Sequence, residues 1–141
     1  MKKEGRLYLD CEFNQMGGDL ISMALVESEK VYFYEVLRCF SPKKWVKENV
    51  IPKLGKPPIG KNIFKNKLEK FLNKYSSITI VADWPDDIKY FCEALIVSPG
   101  VMIKTPTVIK FEINRIDAPS DNPHNALADA MGIKKYLENT K

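Results

Sequence analysis

Apolar and polar positions alternate with a period near two over residues 6 to 37. That is the side-chain period of a half-buried strand, so three strands are predicted, at 6 to 13, 19 to 27 and 30 to 37. In the third, KVYFYEVL, Tyr32 and Tyr34 share one face and Phe33 takes the other. The links around Gly17-Gly18 and from Glu27 to Lys30 are short, which argues for an antiparallel meander.

The spacing then lengthens. Ser41 is placed to cap a helix with Pro42 at its first position, and Trp45, Val46, Val50 and Leu54 follow at helical intervals. Pro52 kinks or ends that helix, and KPPIG, 56 to 60, reads as a turn. Residues 61 to 74 predict an amphipathic helix, with Ile63, Phe64, Leu68, Phe71 and Leu72 inside and lysines outside. SITIVAD, 77 to 83, is apolar and β-branched enough for a central strand. A helix from about Pro85 carries Ile88, Phe91, Cys92 and Leu95. Residues 97 to 122 have the weakest pattern, with a strand read in TVIKFEI, 107 to 113, and a loop in DAPSDNP, 117 to 123. A last helix is predicted from about His124 to Glu138, with Leu127, Met131, Ile133 and Leu137 available for burial. The order β-β-β-α-α-β-α-β-α predicts an α/β domain over 1–141, a mixed sheet flanked by helices. No G-x-G-x-x-G or P-loop follows a strand, which disfavours a nucleotide-cofactor fold.

Composition narrows the function classes. Apolar content of 45% and charged content of 28% are globular values. No apolar run approaches the roughly 20 residues of a membrane span, so no membrane partner is expected. The start, MKKEGRLYLD, has a basic tip but holds Glu4 and no small-residue cleavage site, so no signal peptide is expected. Cys11, Cys39 and Cys92 are odd in number and widely spaced, which predicts reduced thiols in a cytoplasmic protein rather than disulfides or a zinc site. The net charge of +4 is uneven: residues 43 to 74 hold ten lysines against Glu48 and Glu69. Such a run with aromatics is either a solvated surface or a track for a phosphate backbone.

The candidate chemistry begins in LYLDCEF, 7 to 13, where period two puts Asp10 and Glu12 on one face and Cys11 on the other. Buried carboxylates are costly unless paired, so the two acids either end the strand in water or hold a cation. Further acids follow the fourth strand in DWPDD, 83 to 87, and lie on the last helix at Asp129, with His124, the only histidine, just before it. Each alone has a plain structural reading: a solvated strand tip, acids at a helix N-terminus, a structural histidine. Gathered at one end of a sheet, the carboxylates would repel one another, and a divalent cation resolves that repulsion. Oxygen ligands without thiolates or several histidines favour Mg²⁺ or Mn²⁺. Two such ions about 3.5–4 Å apart stabilise the attacking and leaving oxygens in phosphoryl transfer, and a histidine is suited to take a proton near neutral pH.

With these motifs the sequence resembles the DEDD exonucleases of the ribonuclease H-like superfamily, in the histidine (DEDDh) subclass, which includes RNase T, oligoribonuclease and proofreading exonucleases. Asp-x-Glu of the first motif matches Asp10 and Glu12, and His-x4-Asp of the third matches His124 and Asp129 in HNALAD, followed by the small Ala130. The second motif, an acid at a helix start after the fourth strand, matches VADWPDDIKYF. The similarity is closest to short stand-alone 3′–5′ exoribonuclease-like members; residues 40 to 75 and 97 to 120 match only in general layout. It implies a ribonuclease H-like fold and a two-metal 3′–5′ exonuclease acting on the 3′ end of single-stranded RNA or DNA, with a homodimer allowed. It further implies that Asp10, Glu12, Asp87 and Asp129 hold two Mg²⁺ or Mn²⁺ ions and that His124 is the general base. Asp83 is the alternative second-motif ligand, or a partner behind the ligands, and Asp86 departs from the family's usual apolar residue there. Phe13 and Met16 take positions that either contact the terminal nucleotide or pack in the core. A nucleic-acid-binding module without turnover and an endonuclease of the same superfamily are the alternative functions.

Overall fold

Strand β1 (Lys3–Phe13) pairs antiparallel with β2 (Leu20–Val26), which pairs antiparallel with β3 (Tyr32–Val36). On its other edge β1 pairs parallel with β4 (Tyr75–Ala82), and β4 pairs parallel with β7 (Val108–Ile113). The five-stranded mixed sheet therefore runs β3-β2-β1-β4-β7, in an α/β chain whose computed structural model describes residues 2–140.

Helices cover both faces, and the alternation along β1 separates two cores. Leu7, Leu9 and Cys11 face α2 (Lys61–Leu72) and α3 (Pro85–Leu95), packing with Phe64, Leu68, Phe91 and Leu95. Tyr8 faces the other way, toward α1 (Lys44–Asn49) and α4 (Ala126–Asn139), where Val46, Ala126, Ala130 and Ile133 are buried. Asp10 and Glu12 share the parity of Tyr8, so they belong to the α4 side. The fully buried alanines Ala24, Ala126 and Ala130 keep that side shallow, so α4 lies close to the sheet.

The structure corrects the predicted elements at three places. The first helix begins at Lys44, not at Ser41-Pro42, because Asn14 captures that segment: its side chain donates to the Ser41 carbonyl and accepts from the Lys43 N–H, both at 2.8 Å. It ends at Asn49, and Pro52 sits in a separate 3-10 turn, Ile51–Lys53. Strands β1 and β4 start earlier than predicted, where the Tyr75 ring lies over Gly5; a Cβ there would come within 2.5 Å of the ring. The segment of weakest pattern contains a small antiparallel hairpin, β5 (Ile96–Ser98) and β6 (Val101–Met102), before β7. No helix among the described residues is long and apolar enough to cross a membrane, and the three cysteines are unbonded thiols.

Candidate functional site

The parallel pairing of β1 with β4 decides where the acids meet. Tyr8 is in register with Val81, so two residues further on Asp10 comes beside Asp83, at the carboxyl ends of both strands. Such strand ends, with helices leaving them, are where open α/β sheets form clefts. The chain turns at Trp84 and enters α3 with Pro85 in its first turn, bringing Asp87 back over β1. There Asp87 Oδ1 accepts the backbone N–H of Cys11 at 3.2 Å. From the opposite face, α4 brings Asp129. Asn125 caps that helix, accepting from the Ala128 N–H and donating to the Lys53 carbonyl and, at 3.4 Å, to the Tyr34 hydroxyl. Asp129 accepts the His124 backbone N–H at 3.2 Å, which ties the histidine's main chain to the last acid.

Two groups of carboxylates result, Asp10 with Asp83 and Asp87, and Asp10 with Glu12 and Asp129; in each, one oxygen per residue lies within 4.8 Å of the others. Asp10 belongs to both. Its Oδ2 is buried and has no hydrogen-bond partner among the described residues, which is costly for an acceptor without a cation. Burial and mutual repulsion act together on these groups. Burial, then the charges of Asp87, Glu12 and Asp129, holds the Asp10 carboxyl well above the usual carboxylate range. Burial, then Asp129, pushes Glu12 up to about 9. Burial, then Asp83, pushes Asp87 up to about 8. Asp83 is raised by burial as well, against its own backbone N–H and Arg115. The donors are all carboxylate oxygens, and Cys11 points away into the core, so the set fits hard divalent ions.

Asp10, Asp83, His124 and Asp129 line one cleft of about 330 Å³. A larger hollow, about 1010 Å³, lies between α4 and the β2–β3 turn, but none of the clustered acids lines it. His124 has φ +72, a left-handed backbone that costs a non-glycine residue energy and is enriched at functional sites. Its ring stands edge-on to Trp45, one of the residues at helical spacing in the first helix, with centroids 4.9 Å apart; Trp45 is half-exposed and steadies the histidine.

Among known proteins, the chain matches no family model and no curated relative.

The structure thus brings together Asp10, Glu12, Asp83, Asp87, Asp129 and His124. Asp86 stays outside, its carboxylate accepting the Trp84 indole N–H at 3.0 Å. The core alternative for Met16 is overturned, because the residue is 90% exposed at the tip of the β1–β2 turn. Phe13 is partly buried against the core and stacks on Tyr90, with ring centroids 4.6 Å apart. Asp117 also lines the cleft and raises Asp83; it stands out in the sequence only as an acid beside Pro119 and Pro123 in a loop. Nothing in local spacing points to Asn125 or Tyr34, which meet behind the start of α4, where Asn125 is the residue after the histidine.

The lysine-rich segment is partly structural. Lys56 and Lys67 pair with Glu35 at 3.0 and 3.7 Å, and Lys65 donates to the carbonyls of Ala94 and Ile96. Lys61 and Lys65 line a groove of about 830 Å³ together with Arg38, Lys89, Phe40 and Tyr90. Tyr90 reaches from that groove to Phe13 and donates to the Gly18 carbonyl, which links the groove to the turn beside the carboxylates.

Proposed function

We propose that this protein is a metal-dependent 3′–5′ exonuclease of single-stranded RNA or short oligonucleotides, built on a ribonuclease H-like fold. The observation that carries this reading is Asp10, shared by two carboxylate groups, with a buried oxygen that lacks a partner among the described residues and a histidine in the same cleft. A sheet of three antiparallel strands continued by two parallel ones, helices on both faces, is the layout such a fold requires.

In this reading Asp10, Glu12, Asp87 and Asp129 hold Mg²⁺ or Mn²⁺, and Asp83 completes the group around Asp10. Divalent ions bound there would neutralise the scissile phosphate and stabilise the leaving oxygen. The chain's own residues do the rest. His124 takes the proton of the attacking water at a ring nitrogen while Trp45 fixes the ring plane. Asp129 accepts the His124 backbone N–H, which sets the distance between base and ligands. Met16, exposed at the tip of the turn that follows the first motif, meets the terminal nucleotide, and the groove of Arg38, Lys61 and Lys89 takes the phosphates behind it.

The test is end-labelled single-stranded RNA and DNA incubated with purified protein and Mn²⁺ or Mg²⁺. Stepwise shortening from the 3′ end, lost with chelator and in Asp10→Ala, is expected. Intact substrates, with a related enzyme active alongside, would remove the reading and leave a binding module without turnover. Binding of the uncleaved strand should weaken with salt and in Lys61→Ala; salt-insensitive binding would remove the groove from it.

A further inference from the structure

Strand β7 is one of the two edges of the sheet; the other, β3, is partly covered where Ile59 donates its N–H to the Val36 carbonyl at 2.8 Å. The sequence of β7 is complementary to itself. Asn114, just past the strand, donates its backbone N–H to the Ala82 carbonyl of β4 at 2.9 Å. Backbone groups alternate sides along a strand, so Glu112 and Lys110 also turn their N–H and C=O toward β4. Ile109, Phe111 and Ile113 then present theirs to the free edge. Val108, Phe111 and Ile113 are 44–46% exposed there, on a strand with no proline to block pairing.

Place a second copy antiparallel about a two-fold axis through Phe111. Ile109 falls opposite Ile113, Phe111 opposite Phe111, and Lys110 opposite Glu112, the last pair twice over. The edge groups of Ile109, Phe111 and Ile113 meet their counterparts, so the ladder closes with no bulge. Moving the axis by one residue keeps the backbone pattern but sets Lys110 against Lys110 or Glu112 against Glu112, and like charges directly opposite are destabilising. Charge therefore selects one register. Glu112 is held on that face by Arg6, whose guanidinium donates at 2.6 and 3.2 Å, and by Asn114, whose amide donates at 2.7 Å, so the partner's Lys110 would meet a fixed and already paired carboxylate from one side.

We infer that β7 pairs with β7 of a second copy of this chain, antiparallel and in register about Phe111, joining two five-stranded sheets into one continuous sheet of a homodimer. The inference stands apart from the exonuclease reading, since β7 carries none of the clustered acids.

The test is light-scattering mass across a concentration series, with circular dichroism to confirm folding. The wild-type protein should reach twice its 16.2 kDa monomer mass. Lys110→Glu and Glu112→Lys should each associate about tenfold more weakly or worse. Mixed in equal amounts they should form a heterodimer, because each then offers the charges the other lacks. Under mild oxidation, Phe111→Cys should give a covalent dimer and Thr107→Cys, outside the strand, should not. A wild-type protein that stays monomeric throughout, a dimer indifferent to both charge reversals, or equal cross-linking at 107 and 111 would each overturn the inference.

Discussion

The backbone N–H of Cys11 donates to Asp87 Oδ1 at 3.2 Å, so the helix carrying one acid is tied to the strand between the two residues carrying two others. A clustered carboxylate here has a structural task besides any ligand role. It satisfies a buried main-chain donor, which would otherwise cost about 1–3 kcal/mol.

That double role separates two substitutions. Asp87→Asn keeps an oxygen for the Cys11 N–H and, like the protonated acid, carries no charge, so without metal its stability at neutral pH should match that of wild type. Asp87→Ala should lose about 1–3 kcal/mol, because the donor is left bare. Urea unfolding in chelator measures both. Equal destabilisation by the two would mean that the bond contributes nothing.

The raised carboxyls predict an inverted pH profile for the metal-free protein. With Glu12 pushed to about 9 and Asp87 to about 8, the folded state keeps protons that an unfolded chain releases near pH 4. The folded state binds more protons, so stability falls as pH rises. The contribution is complete below about pH 4 and is lost by about pH 9. Thermal midpoints in chelator should fall steadily between pH 5 and 9. Mn²⁺ competes with these protons, so the midpoint gained from Mn²⁺ should grow with pH, and Asp10→Asn should abolish that gain. A flat or rising profile in chelator would contradict the crowding of these groups.

His124 combines a left-handed backbone with a ring held by Trp45. Asparagine tolerates that backbone, so His124→Asn should fold and keep the midpoint shift with Mn²⁺. Its cleavage rate should fall by about 10²–10⁴, the usual contribution of a positioned acid–base group. Trp45→Ala should lower the rate less and leave the Mn²⁺ shift intact. Single-turnover cleavage and thermal shift, measured on the same preparations, check this.

Gly132 lies where α4 meets the loop that closes the cleft. A Cβ there would come within 2.3 Å of the Pro119 carbonyl oxygen, and Pro119 lines the cleft with Asp117 and His124. Neither backbone can yield cheaply, so Gly132→Ala should destabilise by about 1–3 kcal/mol despite the better helix propensity of alanine. It should also weaken Mn²⁺ binding, by displacing the loop from α4. Denaturation with and without Mn²⁺ reads both effects.

Period and composition alone determined much of this protein. Alternation over residues 6 to 37 set three strands, helical spacing set α2, α3 and α4, and period two placed Asp10 and Glu12 on one face with Cys11 opposite. These are local properties, legible because a residue's neighbours in the chain are its neighbours on the element. Tertiary structure decided what depends on partners far away in sequence. The first helix starts late because Asn14 holds residues 41 and 43, a contact no window around Ser41 contains. Asp83 and Asp87 both reach Asp10 because β4 lies parallel to β1 in one register and α3 folds back over it. Asp117 joins the cleft through a loop without periodicity, and Lys56 and Lys67 leave the basic track because Glu35 meets them across the fold. The sequence could name the acids; only the pairing of β1 with β4 and the approach of α4 crowd them around Asp10, one of whose oxygens has no hydrogen-bond partner among the described residues.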